Sequence, residues 1–342
     1  MTGSNSLYPK LVADLGGTNI RFAICHGLND VSNEGIILDD IQQFSLRDYQ
    51  GLKHLITYYL SQCQAVKGID QLQSCCFAVA GPMLDGVVKM TNYNWEVSAE
   101  KLNDILGIDN ATIINDFAAI AYSVPFLTSK QLLTIGGGMS DPHSPISVFG
   151  PGTGLGAALL IPDAEQNGYR VIPTEGGHAA LSARSDLELA AFEYWRNKGC
   201  RINREFFISG NGIERLFEAI IAKQRGVDSV DEMDVLSAAE IQKRACGDGD
   251  SELDQSCRMA LDAFCTLLGS AAGDQALCTG ATGGLILAGG ILPKLVDFLL
   301  ASNFRRRFES KGPMSTYNQS ISTQLILAEQ PGLIGAAAYQ PF

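Results

Sequence analysis

A pair of glycines set between two strand-like runs most constrains how this chain folds. The motif Asp14-Leu-Gly-Gly-Thr-Asn19 follows the apolar residues 11–13 and precedes residues 20–24, in which large apolar side chains alternate with polar or small ones. Alternation with a period of two is typical of a half-buried strand, so the sequence predicts a hairpin with Gly16 and Gly17 at its turn. A strand, glycine turn and helix in that order would instead indicate a dinucleotide site or a P-loop.

The predicted turn has the chemistry of a phosphate-binding loop. Adjacent glycines let backbone N–H groups approach a phosphate because no Cβ stands in the way. Asp14 ends the first predicted strand, where a carboxylate can hold a hydrated Mg²⁺ that bridges phosphate oxygens. An ordinary hairpin turn explains the same residues, so this motif alone leaves both interpretations open.

The same pattern recurs later in the chain. Residues 12–24 read V-A-D-L-G-G-T-N-I-R-F-A-I, and residues 148–160 read V-F-G-P-G-T-G-L-G-A-A-L-L. Both segments are predicted to form a strand, a Gly/Thr-rich turn and a second strand. Two such hairpins suggest two related domains that each present a turn to one ligand. Because the chain contains 36 glycines, a chance similarity stays open.

Length and patterning predict an α/β protein of two domains. The chain has 342 residues, more than the roughly 250–300 at which a single hydrophobic core stops growing. Short apolar runs alternate with amphipathic segments, which favours an α/β architecture. The predicted strands are 10–15, 19–25, 74–80, 87–90, 111–114, 146–150, 155–161, 285–288 and 323–328. The predicted helices are 50–64, 98–106, 117–124, 185–197, 211–223, 237–246, 251–278 and 293–301.

Charge and cysteine content narrow the class of partner. A net charge of −12 and a pI near 4.8 argue against binding to nucleic acid or to an anionic membrane. A bound polyphosphate must therefore be held by local donors and a metal ion.

The nine cysteines form no C-x-x-C pair, and the N-terminal residues lack a basic segment followed by an apolar one. We expect buried, reduced thiols and a cytoplasmic location.

A candidate catalytic carboxylate follows the predicted strand at 111–114. This strand ends in Asn115-Asp116 and runs directly into a predicted helix. Ligands of open α/β sheets bind at the carboxyl ends of strands. An ionised Asp116 there can accept the proton of a hydroxyl while its oxygen attacks phosphorus. Capping of the helix by Asp116 is the structural alternative, and this stretch alone favours the cap.

Three further polar positions are candidates for binding hydroxyl groups. Glu175 and His178 are separated by two glycines, so both side chains can point into one cleft. Zinc is not predicted there, because residues 179–193 add no cysteine or histidine. Glu205 precedes residues 206–208, which we interpret as an apolar strand that ends in a glycine turn. Taken singly, Glu205 is typical of a solvated surface charge.

The last glycine turn follows the predicted strand at 285–288. Gly289-Gly290 lets a flat ring or a ribose lie against the backbone, although a tight strand-to-helix connection with Pro293 at the first helical position explains it equally well. The motifs G-x-x-x-x-G-K-[ST] and G-x-S-x-G are absent, so neither a P-loop nor a serine triad is predicted. A nicotinamide site is disfavoured because residues 152–156 have no acidic partner for a ribose.

Taken together, these segments resemble the bacterial-type glucokinases of the actin/hexokinase/sugar-kinase ATPase superfamily. The resemblance covers nearly the whole chain and rests on seven motifs in the family's order. They are D-L-G-G-T-N-I-R-F-A (14–23), M-T-N-Y-N-W (90–95), I-I-N-D-F-A-A-I (113–120), G-P-G-T-G-L-G (150–156), E-G-G-H (175–178), E-F-F-I-S-G-N-G (205–212) and L-A-G-G-I-L-P (287–293). The related repressor/kinase group adds a cysteine-rich zinc motif after the histidine. Its absence favours the zinc-free branch.

The resemblance implies a role for each motif. In that family the two glycine hairpins hold the β- and γ-phosphates of ATP, and the late Gly-Gly turn lies under the adenosine. The positions thereby assigned to ATP, with Mg²⁺ arriving on the nucleotide, are Gly16, Gly17, Thr18, Asn19, Gly152, Thr153, Gly154, Gly289 and Gly290. Asp14, acting through water, is added to this set from its place beside the first turn. The catalytic base corresponds to Asp116. The sugar-binding positions are Asn92, Asn115, Asp116, Glu175, His178 and Glu205.

The resemblance also implies the fold and the reaction. We expect an α/β protein with the two-domain actin-like ATPase (ribonuclease H-like) fold and an active site in the interdomain cleft. A small domain is expected at 1–126 plus 328–342 and a large domain at 127–327, in a chain that forms a cytoplasmic homodimer. The expected reaction is ATP-dependent phosphorylation of D-glucose to glucose 6-phosphate. A sugar-responsive regulator of the same fold without turnover is the alternative.

Overall fold

The computed structural model describes residues 7–28, 36–66, 71–81, 83–90, 93, 95–163, 168–231 and 234–341. The strands are Lys10–Leu15 (β1), Asn19–Cys25 (β2), Asp39–Ser45 (β3), Ser74–Val79 (β4), Val87–Lys89 (β5), Glu96–Ser98 (β6), Ala111–Asn115 (β7), Leu132–Gly136 (β8), Ile146–Pro151 (β9), Leu155–Asp163 (β10), Gly168–Thr174 (β11), Gly284–Leu287 (β12) and Thr323–Ile326 (β13). The helices are Leu52–Gln62 (α1), Ala99–Leu106 (α2), Asp116–Ser123 (α3), Asp186–Asn197 (α4), Arg204–Phe207 (α5), Gly210–Arg225 (α6), Ala238–Ala245 (α7), Glu252–Thr279 (α8), Val296–Ala301 (α9), Phe304–Glu309 (α10), Ser315–Ser320 (α11) and Pro331–Ala338 (α12).

Two mixed sheets repeat one arrangement of strands. The first has the order β3-β2-β1-β4-β7 and the second has the order β11-β10-β9-β12-β13-β8. In the first sheet β1 pairs antiparallel with β2 and parallel with β4, and in the second sheet β9 pairs antiparallel with β10 and parallel with β12. A further parallel strand follows in each sheet, since β4 pairs with β7 and β12 pairs with β13. This shared order supports the internal repeat that the glycine hairpins suggest.

Contacts divide the chain into two compact units. The first comprises residues 1–132, 171–173 and 328–342, and the second comprises 133–170 and 174–327. In the first unit β4 is buried along its whole length, as expected of a strand inside a parallel array. The core of the second unit is built largely on α8. Within the described ranges, no helix combines the length and the apolar composition needed to cross a bilayer.

The C-terminal helix α12 belongs to the first unit and packs on α3 and β1. Lys10 is only 1% exposed, and its ammonium donates to the carbonyl oxygens of Ala337 and Tyr339 at 3.4 and 2.5 Å. Burial lowers the pKa of this lysine, while the partial negative charge at a helix C-terminus favours its charged form. At Gly335 the helix backbone lies against α3, because an added Cβ would be 1.6 Å from the carbonyl oxygen of Ala119.

Two local predictions are wrong, and one is right only in part. The strand predicted at 206–208 does not form, because Phe206 and Phe207 belong to the short helix α5. Pro293 does not begin a helix; it lies in a 3₁₀ turn, and α9 starts three residues later. The prediction of buried thiols holds for five of the nine cysteines, whereas Cys246 and Cys278 are exposed.

Candidate active site

The first glycine motif forms the turn of the hairpin between β1 and β2, as predicted. The strands stay in register up to Leu15 opposite Ile20. The Gly16 N–H donates to the Asn19 carbonyl oxygen at 2.9 Å. Gly17, Thr18 and Asn19 are exposed at the tip. The turn therefore presents its residues outward from the end of β1.

Asp14 lies beside this turn in a partly buried setting. Its side chain is 27% exposed, and its Oδ2 lies 3.4 Å from Nη1 of Arg21. Burial raises the pKa of the Asp14 carboxyl, and the Arg21 guanidinium opposes that rise. Gly332, in the first turn of α12, packs against this carboxyl, because an added Cβ would be 3.1 Å from Asp14 Cγ. Sequence reasoning missed Gly332.

The end of β7 brings Asn115 and Asp116 to the same edge of the sheet as the hairpin turn. Leu15 pairs with Val79, and Val79 pairs with Asn115, in parallel strands. Adjacent strands lie about 4.8 Å apart, so the ends of β1 and β7 are separated by roughly 10 Å. Asp14 and Asp116 therefore flank one carboxyl edge, where α/β sheets bind ligands.

The side chain that caps α3 is that of Asn115, and Asp116 is not the N-cap residue. The Asn115 Oδ1 accepts from the N–H groups of Phe117 and Ala118, both at 3.0 Å. Asp116 is the first residue of the helix, and its Oδ1 accepts from the Phe117 N–H at 2.8 Å. Because Oδ1 of Asn115 is committed to the cap, its Nδ2 is the group that can serve a ligand.

The second glycine hairpin lies between β9 and β10, and Glu205 lies against it. The Gly152 N–H donates to the Gly154 carbonyl oxygen at 2.8 Å, and Thr153 is exposed at the tip. Glu205 Oε2 accepts from the Leu155 N–H at 2.9 Å. A Cβ on Gly154 would lie 2.5 Å from that same oxygen, so a larger residue there would displace the carboxylate. Glu205 is thus not a solvated surface charge.

The turn after β12 is held close to the same hairpin. Gly289 has a φ of +93°, and an added Cβ would lie 2.2 Å from the Pro151 carbonyl oxygen. A side chain at this position would be strained as well as blocked. Gly290 is exposed and has open space around it. The structure therefore brings the second and third glycine motifs together within the second unit.

The E-G-G-H segment packs on the start of β10. Residues Gly176–His178 form a 3₁₀ turn, and a Cβ on Gly177 would be 2.0 Å from the Leu155 carbonyl oxygen. Leu155 thus contacts this turn through its carbonyl group and Glu205 through its N–H group. The side chains of Glu175 and His178 are 80% and 56% exposed, and Glu175 Oε2 lies 4.0 Å from His178 Nε2. Three predicted sugar-binding residues are therefore gathered around Leu155.

Two residues beside Glu205 support this arrangement, and sequence reasoning missed both. Arg204 is 6% exposed, and its Nη1 donates to the Gly176 carbonyl oxygen at 3.2 Å and to Gln275 Oε1 at 3.0 Å. Burial lowers the pKa of Arg204, and Asp274 opposes that shift. Asn203 Nδ2 lies 3.2 Å from His178 Nδ1. The nearest signal in the sequence was their adjacency to Glu205.

Each unit thus collects part of the predicted set. In the first unit these are Asp14, Gly16, Gly17, Thr18, Asn19, Asn115 and Asp116. In the second they are Gly152, Thr153, Gly154, Glu175, His178, Glu205, Gly289 and Gly290. Asn92 lies outside the described residues. In the part of the chain that the structure describes, no group of three or more His, Cys, Asp or Glu side chains is placed to hold a metal ion.

Comparison with known proteins identifies the family. The family model described as Glucokinase matches residues 11–341. The chain belongs to the glucokinase family. Among curated members it is 38% identical to the glucokinase of Colwellia psychrerythraea over 331 residues, which cover 96% of this chain and 95% of that one. The chain is therefore an enzyme of the glucokinase type.

Solved structures agree with the glucokinase assignment. The crystal structure of glucokinase from an Antarctic psychrotroph matches with a TM-score of 0.82 at 38% identity, covering 96% of this chain and 97% of the other. A ROK family glucokinase from Streptomyces griseus, solved in complex with glucose and AMPPNP, matches with a TM-score of 0.59 at 17% identity. This second match covers 96% of this chain and 97% of the other, and at that identity it shows a shared fold alone.

Proposed function

We propose that this chain transfers the γ-phosphoryl group of ATP to the 6-hydroxyl of D-glucose, with Asp116 as the general base. The match of residues 11–341 to the glucokinase family carries the proposal of the reaction. The crystallised ROK glucokinase binds glucose and AMPPNP, an analogue of ATP, which supports the choice of substrates. The role of each residue is our inference from its position in the fold.

The fold that we propose is the two-domain actin-like ATPase fold, with the substrates in its interdomain cleft. The repeated strand order of the two sheets supports a pair of related domains. We propose domain limits of 1–126 plus 328–342 and of 127–327. A cytoplasmic homodimer is the assembly that we propose from the family resemblance, and light scattering coupled to gel filtration tests it.

The position of Asp116 in the first sheet supports its proposed role as the general base. The carboxylate stands at the carboxyl edge of the first sheet, next to the hairpin turn proposed to hold phosphate. The partial positive charge at the start of α3 favours its ionised form. An ionised carboxylate can take the proton of the 6-hydroxyl as that oxygen attacks the γ-phosphorus. The Nδ2 of Asn115 can meanwhile donate to a neighbouring sugar oxygen.

ATP is proposed to lie along the three glycine motifs. The exposed turn residues of both hairpins can direct N–H groups at phosphate oxygens, where they stabilise the charge that develops during transfer. Gly289 and Gly290 leave room for the nucleoside. Asp14 is the carboxylate beside the first turn. One carboxylate together with nucleotide phosphates is a common set of Mg²⁺ ligands, so we propose that the metal arrives on the nucleotide. Bound Mg²⁺ would neutralise phosphate charge.

Glu175→Gln and Glu205→Gln are each expected to raise the KM for glucose and to lower kcat. A charged acceptor bonded to a sugar hydroxyl contributes about 1.5–3 kcal/mol, so we expect each variant to lose ~10–100-fold in kcat/KM. Steady-state kinetics with glucose as the varied substrate checks this. Glu193→Gln, which alters an exposed carboxylate on α4, is the matched control. Unchanged kcat and KM in both variants would remove these residues from the site.

Arg21→Gln is expected to move the acid limb of the pH–activity profile to higher pH. The Arg21 guanidinium opposes the rise that burial causes in the pKa of Asp14, so its removal raises that pKa further. The required carboxylate is lost as pH falls through this pKa, and a higher pKa brings the loss at a higher pH. Measuring kcat/KM for ATP across the acid range checks this, with Arg47→Gln, an exposed position, as the control. An acid limb that does not move contradicts the role given to Asp14.

One assay separates the candidate functions. Release of ADP is coupled to a dehydrogenase readout across a panel of hexoses, with ATP as donor. Turnover on glucose supports the kinase, and sugar binding by calorimetry without ADP release supports a sugar-responsive regulator. A glucokinase should discriminate strongly against deoxy analogues, because the polar groups that a bound sugar covers are then left unpaired.

A further inference from the structure

The Asn203 side chain makes two hydrogen bonds that together fix its orientation. Its Oδ1 accepts from the Phe206 N–H at 2.9 Å, which caps the short helix α5. Its Nδ2 lies 3.2 Å from Nδ1 of His178. An amide oxygen only accepts and an amide nitrogen only donates. Because the helix N–H demands the oxygen, the NH₂ group must face the imidazole.

This orientation determines which imidazole nitrogen carries the proton. Nδ1 of His178 meets a group that can only donate, so it must present its lone pair. A neutral imidazole that accepts at Nδ1 carries its hydrogen at Nε2. Nε2 of His178 is therefore a donor. The charged group that faces it is the Glu175 carboxylate at 4.0 Å, which is beyond hydrogen-bond reach, so the N–H stays available to a ligand.

We propose that Asn203 is a positioning residue that holds His178 as an Nε2–H donor beside the Glu175 acceptor. The inference rests on the proposed function, in which both residues bind sugar. A hydroxyl donates one hydrogen bond and accepts others, so it fits between an N–H donor and a carboxylate acceptor. With the other tautomer both groups would be acceptors, and one hydroxyl hydrogen could not serve both.

The same side chain ties this donor to another sugar-binding residue. Asn203 caps the helix in which Glu205 is the second residue, and Glu205 Oε2 accepts a hydrogen bond from the Leu155 N–H at 2.9 Å. Movement of the cap would therefore shift His178 and Glu205 together. Asn203 thus sets the hydrogen-bonding form of one proposed sugar ligand and the placement of a second.

Asn203→Asp separates the tautomer from the cap. Aspartate is as good a helix cap as asparagine, so α5 should persist. Its carboxylate offers Nδ1 an acceptor in place of a donor and so favours hydrogen at Nδ1. A neutral imidazole in that form has no hydrogen at Nε2, and the assays are run at alkaline pH to favour the neutral form. We expect the KM for glucose to rise ~10–100-fold, with a smaller change in kcat and little change in Tm. Asn203→Ser keeps a cap but removes the amide, and should raise the KM less.

A second background controls for effects that do not pass through the histidine. In a His178→Ala enzyme, Asn203→Asp should change the KM for glucose by less than about twofold, because the interaction it alters is already gone. An equal rise in KM with and without His178 would overturn the proposal.

Nitrogen-15 NMR of histidine-labelled enzyme reads the tautomer directly. The chain has four histidines, and the His178→Ala spectrum identifies the signal that matters. We expect hydrogen at Nε2 in the natural enzyme and a shift toward Nδ1 in Asn203→Asp. Hydrogen at Nδ1 in the natural enzyme would overturn the inference even if glucose is phosphorylated. Absence of turnover with the expected tautomer would instead overturn the proposed function and leave the assignment of Asn203 standing.

Discussion

Asp116→Asn is expected to lower kcat by ~10²–10⁴ while the KM for glucose changes little, because general base catalysis contributes about that factor. Asparagine keeps the shape of the side chain and can still hydrogen-bond a hydroxyl, but it cannot take its proton. The change should leave α3 in place, since the cap is supplied by Asn115 through two bonds of 3.0 Å. Loss of the carboxylate at the first helical position costs about 0.3–1 kcal/mol of stability.

Asp104→Asn is the matched control for this variant. Asp104 lies on the exposed face of α2 in the same unit, so the same chemical change there should leave kcat unaltered. Steady-state kinetics gives kcat, and calorimetry with glucose gives the affinity without turnover. An Asp116→Asn enzyme with near-full kcat would show that another group takes the proton. A large loss of glucose affinity with normal kcat would make Asp116 a sugar ligand alone.

The two glycine hairpins could be predicted from sequence because their signals are local. Alternation of apolar residues on either side of Gly16 and Gly17 defines both strands, and the turn needs no distant partner. The same is true of Asn115 and Asp116, where a strand ends and a helix begins. Placing Asp14 near Asp116 required more. That proximity comes from the pairing of Leu15 with Val79 and of Val79 with Asn115, which only the parallel register supplies.

The supporting residues of the second unit could not be predicted, because their partners are remote in sequence. Arg204 contacts Gly176 and Gln275, which are 28 and 71 positions away. The strand expected at 206–208 is wrong for a related reason. A short apolar run without periodicity fits a buried strand or a buried helical turn equally well. The cap from Asn203 decides for the helix.

Strands at the edges of the sheets were the elements most easily missed. β3 reads D-D-I-Q-Q-F-S, whose charged and amide residues are poor strand formers. It forms because β2 provides a partner along most of its length. Its polar character suits an edge, where unpaired N–H and C=O groups would otherwise invite further pairing. Tertiary pairing therefore overrides local preference at this position.

Gly335→Ala is expected to destabilise the first unit strongly, because α12 and α3 are in backbone contact at this residue. An added Cβ would lie 1.6 Å from the Ala119 carbonyl oxygen, and neither helix can relieve that overlap by turning a side chain. Overpacking of this kind lowers the free energy of unfolding by about 3 kcal/mol, and the better helix propensity of alanine restores about 1 kcal/mol. We expect a net loss of about 2 kcal/mol, measured as a lower urea midpoint.

Gly332→Ala, one turn earlier in α12, is the matched control and should behave in the opposite way. Its Cβ would meet the side chain of Asp14 at 3.1 Å, so a small shift of the carboxyl relieves the contact and stability should hold. The same shift moves the carboxylate proposed to serve the nucleotide, so kcat/KM for ATP should fall. If Gly335→Ala left the urea midpoint unchanged, the close crossing of α12 and α3 would be wrong. Equal losses of stability in both variants would mean that alanine disturbs α12 wherever it is placed. A loss of stability at Gly335 with a loss of activity at Gly332 would show one helix both fastening α3 to the sheet and setting the position of Asp14.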